Sequence, residues 1–319
     1  MLEKYVKIKP RLGKRLIDQR YLLLMSVPFI VYLLVFRYIP LGGWLMAFQD
    51  YRPHHGWFGA PWASVGGEVK IFKHFIELFN HRLFIPSLQN TLGMSFLLLV
   101  FGTFSAITFA VLLNELRYLP FKRVTQTISY LPHFVSWVVV AQIVTQFFAI
   151  SGPFNDILIS FGLVSQDSPT NIMIKKEYFW WIVTFTDVWK SMGWSAIIYL
   201  AAMAGIDSQI YEAAEIDGVS RLQKIFYITL PGIKGTIAIL LILSIGNLFN
   251  IGFERQMLLS NALTQDKALT LDWFALQFGI NLTRFSFGTA IGIFRSGISI
   301  LLLLTANFVA KKLGIGRLF

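Results

Sequence analysis

Three ionisable side chains lie inside long apolar runs of this sequence: Asp187, Lys190 and Arg295. An ionised group at membrane depth is costly, so such residues usually line a polar pathway or pair with one another. Asp187 and Lys190 are three positions apart on one helix face, where they can either face a pathway or form an ion pair. Together the three side chains carry a formal charge of +1, which favours an anionic solute.

Aromatic and amide side chains recur near these charges at helical spacing. Trp180 and Trp194 share a helix face with Asp187, and Gln142 shares a face of an earlier run with Gln146. Indole faces beside amide and charged groups suit sugar rings, which offer both CH faces and hydroxyl groups. The alternative is structural, because amides tie membrane helices together and tryptophans gather at the membrane interface. The candidate pathway residues are Trp180, Asp187, Lys190, Trp194, Gln142, Gln146, Asn247, Asn250, Glu254 and Arg295.

Motifs for catalysis and nucleotide binding are missing from the sequence. It contains no GxxxxGK[ST] phosphate loop, no HExxH and no GxSxG, and it has no cysteine. The five histidines lie in or near loops without the spacing of metal ligands inside a span. We therefore predict no catalytic residue, no metal site and no cofactor in this chain.

The composition indicates an integral membrane protein. Hydrophobic residues make up 55% of the chain and charged residues 14%, whereas soluble domains carry about 25% charged residues. The net charge of +11 does not indicate nucleic acid, because seven lysines and arginines precede the first apolar run. Positive charge at that position is typical of a cytoplasmic tail.

The apolar runs predict an all-α membrane protein with six transmembrane helices. A span needs about 20 mostly apolar residues. Flanking segments assigned to the cytoplasm hold 16 lysines and arginines and those assigned to the outside hold 10, which favours both termini in the cytoplasm. The predicted spans are 21–39, 88–113, 124–148, 179–204, 235–253 and 286–310.

These spans divide the chain into a cytoplasmic tail (1–20), a single transmembrane domain (21–310) and a second cytoplasmic tail (311–319). The external loop, 40–82, ends in EVKIFKHFIELFN, which places Ile71, Phe72, Phe75, Leu78 and Phe79 on one helical face. That pattern predicts a helix lying in the membrane interface, a surface that could also dock an external partner.

A charged interruption, YEAAEIDGVSRLQKIFYITLP (211–231), lies in the predicted cytoplasmic loop 205–234. Asp207 or Ser208 can cap a first helix, and Gly218 can end it because glycine adopts the left-handed conformation without strain. A second helix can start near Ser220 and end at Pro231. The segment therefore predicts a helix-turn-helix on the inner face of the membrane.

The spacing of this segment resembles the cytoplasmic signature of binding-protein-dependent ABC importer permeases. The matching positions are Glu212-Ala213-Ala214, Gly218 and Ile228-Thr229-Leu230-Pro231. Further segments resemble the oligosaccharide and polysaccharide branch of that family, namely LPHFVSWVVV (131–140), GPFND (152–156) and AIGIFRSGISILLLLTAN (290–307).

The resemblance implies the type I ABC importer permease architecture, in which this loop carries coupling helices that insert into an ATPase subunit. It implies a coupling role for Glu212, Ala213, Ala214, Asp217, Gly218, Arg221, Leu230 and Pro231. The implied partners are a second homologous permease subunit, two ATPase subunits that hold ATP and Mg, an external substrate-binding protein and membrane lipid, with no nucleic acid.

The expected function is therefore half of the translocation pathway of an ATP-driven saccharide importer in the bacterial cytoplasmic (inner) membrane. The substrate is expected to be an oligosaccharide, with an anionic one such as alginate favoured by the charges in the spans. Two alternatives stay open: an ABC permease for another solute, and an ion-coupled secondary sugar carrier. Carriers of the latter kind often show internal repeats and interrupted paired spans, which this sequence does not show.

Overall fold

The computed structural model describes residues 18–166 and 168–314. Most of the predicted N-terminal tail and the end of the C-terminal tail lie outside the described residues. Helices dominate the described chain. In order, they are α1 (Arg20–Leu33), α2 (Gly56–Gly59), α3 (Lys73–Asn80), α4 (Phe84–Glu115), α5 (Leu119–Phe134), α6 (Trp137–Phe147), α7 (Pro153–Ser160), α8 (Phe179–Ala204), α9 (Ser208–Ile216), α10 (Arg221–Lys224), α11 (Leu230–Gly232), α12 (Lys234–Gly246), α13 (Glu254–Leu259), α14 (Gln265–Ala268), α15 (Leu271–Ala275) and α16 (Phe285–Lys312).

Shorter elements complete the chain. Strands β1 (Ser64–Val65) and β2 (Glu68–Val69) form an antiparallel hairpin in the external loop. Turns of π-helix continue α1, α10 and α15 over Leu34–Tyr38, Ile225–Thr229 and Leu276–Asn281. The 3-10 segments are Ile39–Phe48, Pro53–His55, Ile172–Ile174 and Lys176–Tyr178.

Three helices are long and apolar enough to cross a membrane. They are the rod formed by α1 and its continuation (Arg20–Phe48), α4 and α16. The described residues contain up to five such spans if each of two bent helix pairs is counted as one. Helix α8 is long enough as well, about 39 Å at 1.5 Å per residue, but its indoles, Asp187 and Lys190 make it more polar.

Two predicted spans are interrupted in the structure. The 124–148 window becomes α5 and α6, which are bent by 104° at Val135 and Ser136. The 235–253 window is helical only to Gly246, where the Asn247 side chain turns back and donates to Leu243 O at 3.0 Å. Helix α12 is therefore about 20 Å long, shorter than the hydrocarbon core of about 30 Å.

Two hydrophobic clusters hold the bundle together. The larger one joins α4, α6, α8, α15 and α16 through buried residues such as Met94, Val183 and Phe274. The smaller one lies at the other end of α4 and α8 and includes Ala110 and Tyr199. In contrast, α1 contains no buried residue.

Glycines permit the closest helix contacts, as is common in membrane bundles. The Trp180 ring lies directly on Gly93 of α4, where a methyl group would overlap it. Gly193 of α8 similarly faces the backbone carbonyl of Ser129 in α5. Helix α5 can approach α8 this closely only because Gly193 has no side chain.

Helix α3, which lies in the loop predicted to be external, packs partly on the bundle. Leu78 is fully buried and His74 is 7% exposed, whereas Ile76 and Phe79 are exposed. The predicted apolar face of this helix is therefore divided between a buried part and an exposed part. Leu78 faces protein, and Phe79 keeps an exposed face.

Candidate functional site

A cavity of about 550 Å³ lies between α4, α8, α12 and the segment that follows α12. Four predicted pathway residues line it: Asp187 and Trp194 from α8, and Asn247 and Asn250 after α12. The hydroxyl groups of Ser95, Ser191 and Ser244 add further polar lining. The cavity thus combines an indole ring, amides, hydroxyls and a carboxylate.

Asp187 forms an ion pair with Arg255 at the start of α13, and Arg255 also lines the cavity. Ser191 Oγ donates to the other carboxylate oxygen of Asp187 at 3.4 Å. The sequence left open whether Asp187 pairs with Lys190. In the structure Asp187 pairs with Arg255, and Lys190 binds backbone carbonyls between α5 and α6.

Lys190 holds the break between α5 and α6. Its Nζ donates to Pro132 O at 3.1 Å, to His133 O at 2.7 Å and to Val135 O at 2.7 Å. The last carbonyls of a helix have no partner within the helix, so the ammonium group caps α5 at its C-terminal end. Lys190 is 7% exposed and does not line the cavity.

A second cavity of about 510 Å³ adjoins the first and shares Ile251 and Arg255 with it. Trp137 and the predicted residue Glu254 line this second cavity. The Trp137 ring centroid is 5.5 Å from Lys190 Nζ and 5.8 Å from the Arg255 guanidinium carbon, within the range of cation–π attraction. Arg255 therefore lies in the wall that the two cavities share.

Besides Lys190, four more predicted pathway residues lie outside both cavities, namely Trp180, Gln142, Gln146 and Arg295. Trp180 donates from Nε1 to Lys267 O at 3.0 Å, and Gln142 and Gln146 are exposed on α6. Arg295 pairs with Asp272, whose other carboxylate oxygen accepts a hydrogen bond from Gly252 N at 2.8 Å. The Arg295 pair thus ties α16 to the segment between α12 and α16.

Sequence reasoning did not select Arg255, Asp272 and Trp137. Arg255 and Asp272 fell in a segment assigned to the outside, where charges are ordinary. Arg255 directly follows Glu254 in GFERQ. Two adjacent charged residues at the end of a predicted span were the signal that could have identified Arg255. Trp137 lay unremarked in the segment LPHFVSWVVV.

The predicted helix-turn-helix is present in the 205–234 segment. Asp207 Oδ1 accepts from Gln209 N at 3.0 Å and caps α9. Gly218 has φ of 71°, and Val219 N donates back to Ala214 O at 2.9 Å. Ser220 and Gln223 then form a reciprocal capping box that starts α10.

Side-chain contacts join the two helices of this segment. Lys224 Nζ is 2.7 Å from Glu215 Oε1, and this hydrogen bond, together with the charge of Lys224, lowers the pKa of Glu215. The hydroxyls of Tyr211 and Thr229 are 2.9 Å apart. The pair of helices is therefore an ordered unit.

This helix-turn-helix exposes carboxylates as well as apolar side chains. Ile216 is 87% exposed, Phe226 62% and Tyr227 77%. We call this the loop surface, which comprises Glu212, Ile216, Asp217, Leu222, Phe226 and Tyr227. Among the other residues assigned a coupling role, Ala213, Gly218, Arg221 and Pro231 are exposed, Ala214 is buried, and Leu230 packs beside the smaller hydrophobic cluster.

Comparison with known proteins identifies relatives along almost the whole chain. The chain is 39% identical over 307 residues to the polygalacturonan/rhamnogalacturonan transport system permease protein YteP of Bacillus subtilis (strain 168), a match that covers 96% of this chain and 92% of that protein. It is 36% identical over 294 residues to Protein LplB of the same organism, covering 92% of this chain and 89% of that protein.

A solved structure has the same fold. A chain in the crystal structure of a bacterial alginate ABC transporter, in complex with an alginate pentasaccharide-bound periplasmic protein, is 34% identical, with a TM-score of 0.84. The match covers 97% of this chain and 100% of that chain. Residues 99–314 also match the family described as binding-protein-dependent transport system inner membrane component. The resemblance seen in the sequence is therefore confirmed, and the chain belongs to the family of inner membrane components of binding-protein-dependent transport systems.

Proposed function

We propose that this chain is the membrane-spanning permease subunit of an ATP-driven importer and forms half of the pathway for an acidic oligosaccharide. An external binding protein delivers the saccharide. The observation that carries this proposal is the 550 Å³ cavity, which places Trp194, Asn247, Asn250 and the Asp187–Arg255 pair around one space. These groups offer a stacking face, hydrogen bonds to hydroxyls and a cation.

The relatives support the substrate class. One is named for polygalacturonan and rhamnogalacturonan, and the related solved structure carries alginate, described for that transporter as an acidic polysaccharide. A passage for such substrates needs cations that are not neutralised completely by the chain. Arg255 lines both cavities, and although its Nη1 is paired with Asp187, its Nε has no partner among the described residues.

The loop surface is the proposed contact with an ATPase subunit, which holds ATP and Mg. Apolar side chains as exposed as Ile216 and Tyr227, beside Glu212 and Asp217, are suited to a groove on a partner protein. Binding there would transmit closure of the ATPase subunits to α8 and α12, which directly precede and follow the loop.

Counting each bent pair as one span and adding α8 gives the proposed six spans, with both termini in the cytoplasm. Helix α1 is apolar and has no buried residue, so lipid or a second chain must cover it. A homologous second permease subunit is the proposed partner, because this chain contains one helix-turn-helix of this kind and two ATPase subunits need two.

Reconstitution tests this function. The chain would be placed in liposomes with its partner permease, ATPase subunits and binding protein, and uptake of a labelled uronate oligosaccharide would be followed. We expect uptake only with ATP inside and with the binding protein outside. Uptake that proceeds on an ion gradient without the ATPase subunits would contradict the proposal and identify a secondary carrier.

A further inference from the structure

Arg255 is a cation with unused hydrogen-bonding capacity in the wall shared by both cavities. Its side chain is 14% exposed, and its Nη1 is paired with Asp187. Its Nε is buried and has no hydrogen-bond partner within the part of the chain that the structure describes. A buried donor without a partner costs about 1–3 kcal/mol, so an acceptor that reaches this atom would be stabilised.

The geometry of a guanidinium defines where that acceptor would bind. Five N–H groups form a planar fork, and a carboxylate can accept two of them in parallel. Because Asp187 uses Nη1, the edge formed by Nε and Nη2 is left for a second carboxylate. Asp187 then serves to hold the guanidinium in place.

Lys190 and Arg295, the two cations singled out within the predicted spans, do not offer the same opportunity. Lys190 donates to three backbone carbonyls, which accounts for all three of its N–H groups. Arg295 also has a buried Nε without a partner among the described residues, but it pairs with Asp272 and lines neither cavity. Arg255 is therefore the cation through which a solute in these cavities can be recognised by charge.

We propose that Arg255 determines the specificity of the pathway for acidic sugars, by binding a substrate carboxylate through its Nε–Nη2 edge. Trp137, whose ring centroid is 5.8 Å from the guanidinium carbon, provides an aromatic face for the sugar ring in the second cavity. Asp187 is a positioning residue in this arrangement. The inference depends on the proposed function, since it names the residue that recognises the proposed substrate.

The test compares two sugars that differ only in charge. One is a galacturonate trimer, and the other is the same trimer after reduction of its carboxyl groups. Uptake of each is measured in the reconstituted complete transporter at saturating binding protein. The binding protein is the same for all variants, so a change in the acidic-to-neutral uptake ratio reports on the permease.

We expect Arg255→Gln to lower the ratio of acidic to neutral uptake by about tenfold or more, the effect of losing one strong charge-assisted contact. Arg255→Lys should fall between Arg255→Gln and wild type, because it keeps the charge and loses the planar fork. Asp187→Asn should lower acidic uptake by a smaller factor. Arg284→Gln is the matched control, because it removes an arginine paired with Glu77 outside both cavities.

Three outcomes would overturn the inference. In the first, Arg255→Gln lowers uptake of both trimers equally in a fully assembled transporter, which would make Arg255 structural. In the second, wild type takes up both trimers equally well, which would leave the proposed saccharide function intact and remove the charge recognition. In the third, wild type takes up neither trimer, and the proposed function then fails as well. If Arg255→Gln does not assemble, the acidic-to-neutral uptake ratios of Arg255→Lys and Asp187→Asn decide, and wild-type ratios in both variants would contradict the role of Arg255.

Discussion

At the scale of single residues, the charges inside the bundle have distinct tasks. Lys190 satisfies the carbonyl groups exposed where α5 ends, Arg295 ties α16 to Asp272, and Arg255 faces the cavities. In each case, the partner explains how a charge is tolerated away from water, because a buried charge is stable only when it is paired and hydrogen-bonded. Two of these charges are thus structural.

Replacing Lys190 tests its structural task. In Lys190→Met, Val135 N still reaches Pro132 O at 3.2 Å, but His133 O and Val135 O lose their donor. Each carbonyl left without a partner costs about 1–3 kcal/mol. We therefore expect a fall in the thermal midpoint of the purified transporter by several degrees. Lys70→Met, at an exposed position, is the control and should change the midpoint little. An unchanged midpoint in Lys190→Met would show that the break does not depend on the lysine.

At the scale of elements, sharp changes of direction are built from local residues. Gly218 between α9 and α10 adopts φ of 71°, a conformation in which a side chain is strained by about 1–2 kcal/mol. The bend between α5 and α6 instead uses Ser136, whose side chain accepts from Val139 N and starts α6. Gly218 thus sets the direction of α10 relative to α9, and the Ser136 cap sets the direction of α6 relative to α5.

A substitution at Gly218 should uncouple the transporter. We expect Gly218→Val to reduce the stimulation of ATP hydrolysis by substrate-loaded binding protein by at least about fivefold, because about 1–2 kcal/mol of strain would shift the helix pair from its observed geometry. Gly235→Val is the matched control, because a Cβ added there meets nothing within 4 Å and the φ of Gly235 is not positive. Stimulation at the wild-type level in Gly218→Val would rule out a coupling role for this hinge.

Helix α3 should make stability depend on pH. His74 is buried, its Nε2 is 3.1 Å from Gln49 O and 3.4 Å from Asp50 Oδ1, and Glu77 and Lys73 are its other charged neighbours. Burial lowers the pKa of His74 despite the favourable contacts with Gln49 O and Asp50. The unfolded chain therefore takes up the proton first, near pH 6.5, so stability is full above that value and is lost as the pH falls below it.

This pH effect is measured by thermal unfolding at a series of pH values. We expect the thermal midpoint of wild type to decline below about pH 6.5 more steeply than that of His74→Gln. His55→Gln, at an exposed position of the same loop, is the control and should follow wild type. Parallel curves for wild type and His74→Gln would contradict this account.

At the scale of the whole molecule, the surface is that of a subunit in an assembly. Helix α1 exposes its apolar length, the loop surface exposes Phe226 and Tyr227, and the external loop exposes Phe58 and Trp62. Such exposure is ordinary for lipid-facing helices but not for loops. The exposed aromatic residues outside the spans therefore indicate protein contacts at both of these loops.

The sidedness of these loops can be measured directly, because the sequence contains no cysteine. We expect Phe58→Cys, 84% exposed in wild type, to react with a membrane-impermeant maleimide in intact cells. Ile216→Cys, 87% exposed, should react only after the membrane is permeabilised. Labelling of Ile216→Cys in intact cells would reverse the proposed topology.

The properties that the sequence determined by itself are local. Runs of apolar residues identified a membrane protein, because length and hydropathy are enough to match a bilayer. Asp207, Gly218 and Ser220 predicted the helix-turn-helix correctly, because caps and left-handed turns depend on neighbours a few positions away.

Only the tertiary structure decided which charges meet and where the helices break. Asp187 pairs with Arg255, 68 positions away, rather than with Lys190 three positions away. Lys190 instead reaches across to Val135 in the break of another helix. Spacing along one helix shows which groups can meet locally. The choice of a partner depends on the free energy of burying each charge in the assembled bundle, where the acceptors come from different helices.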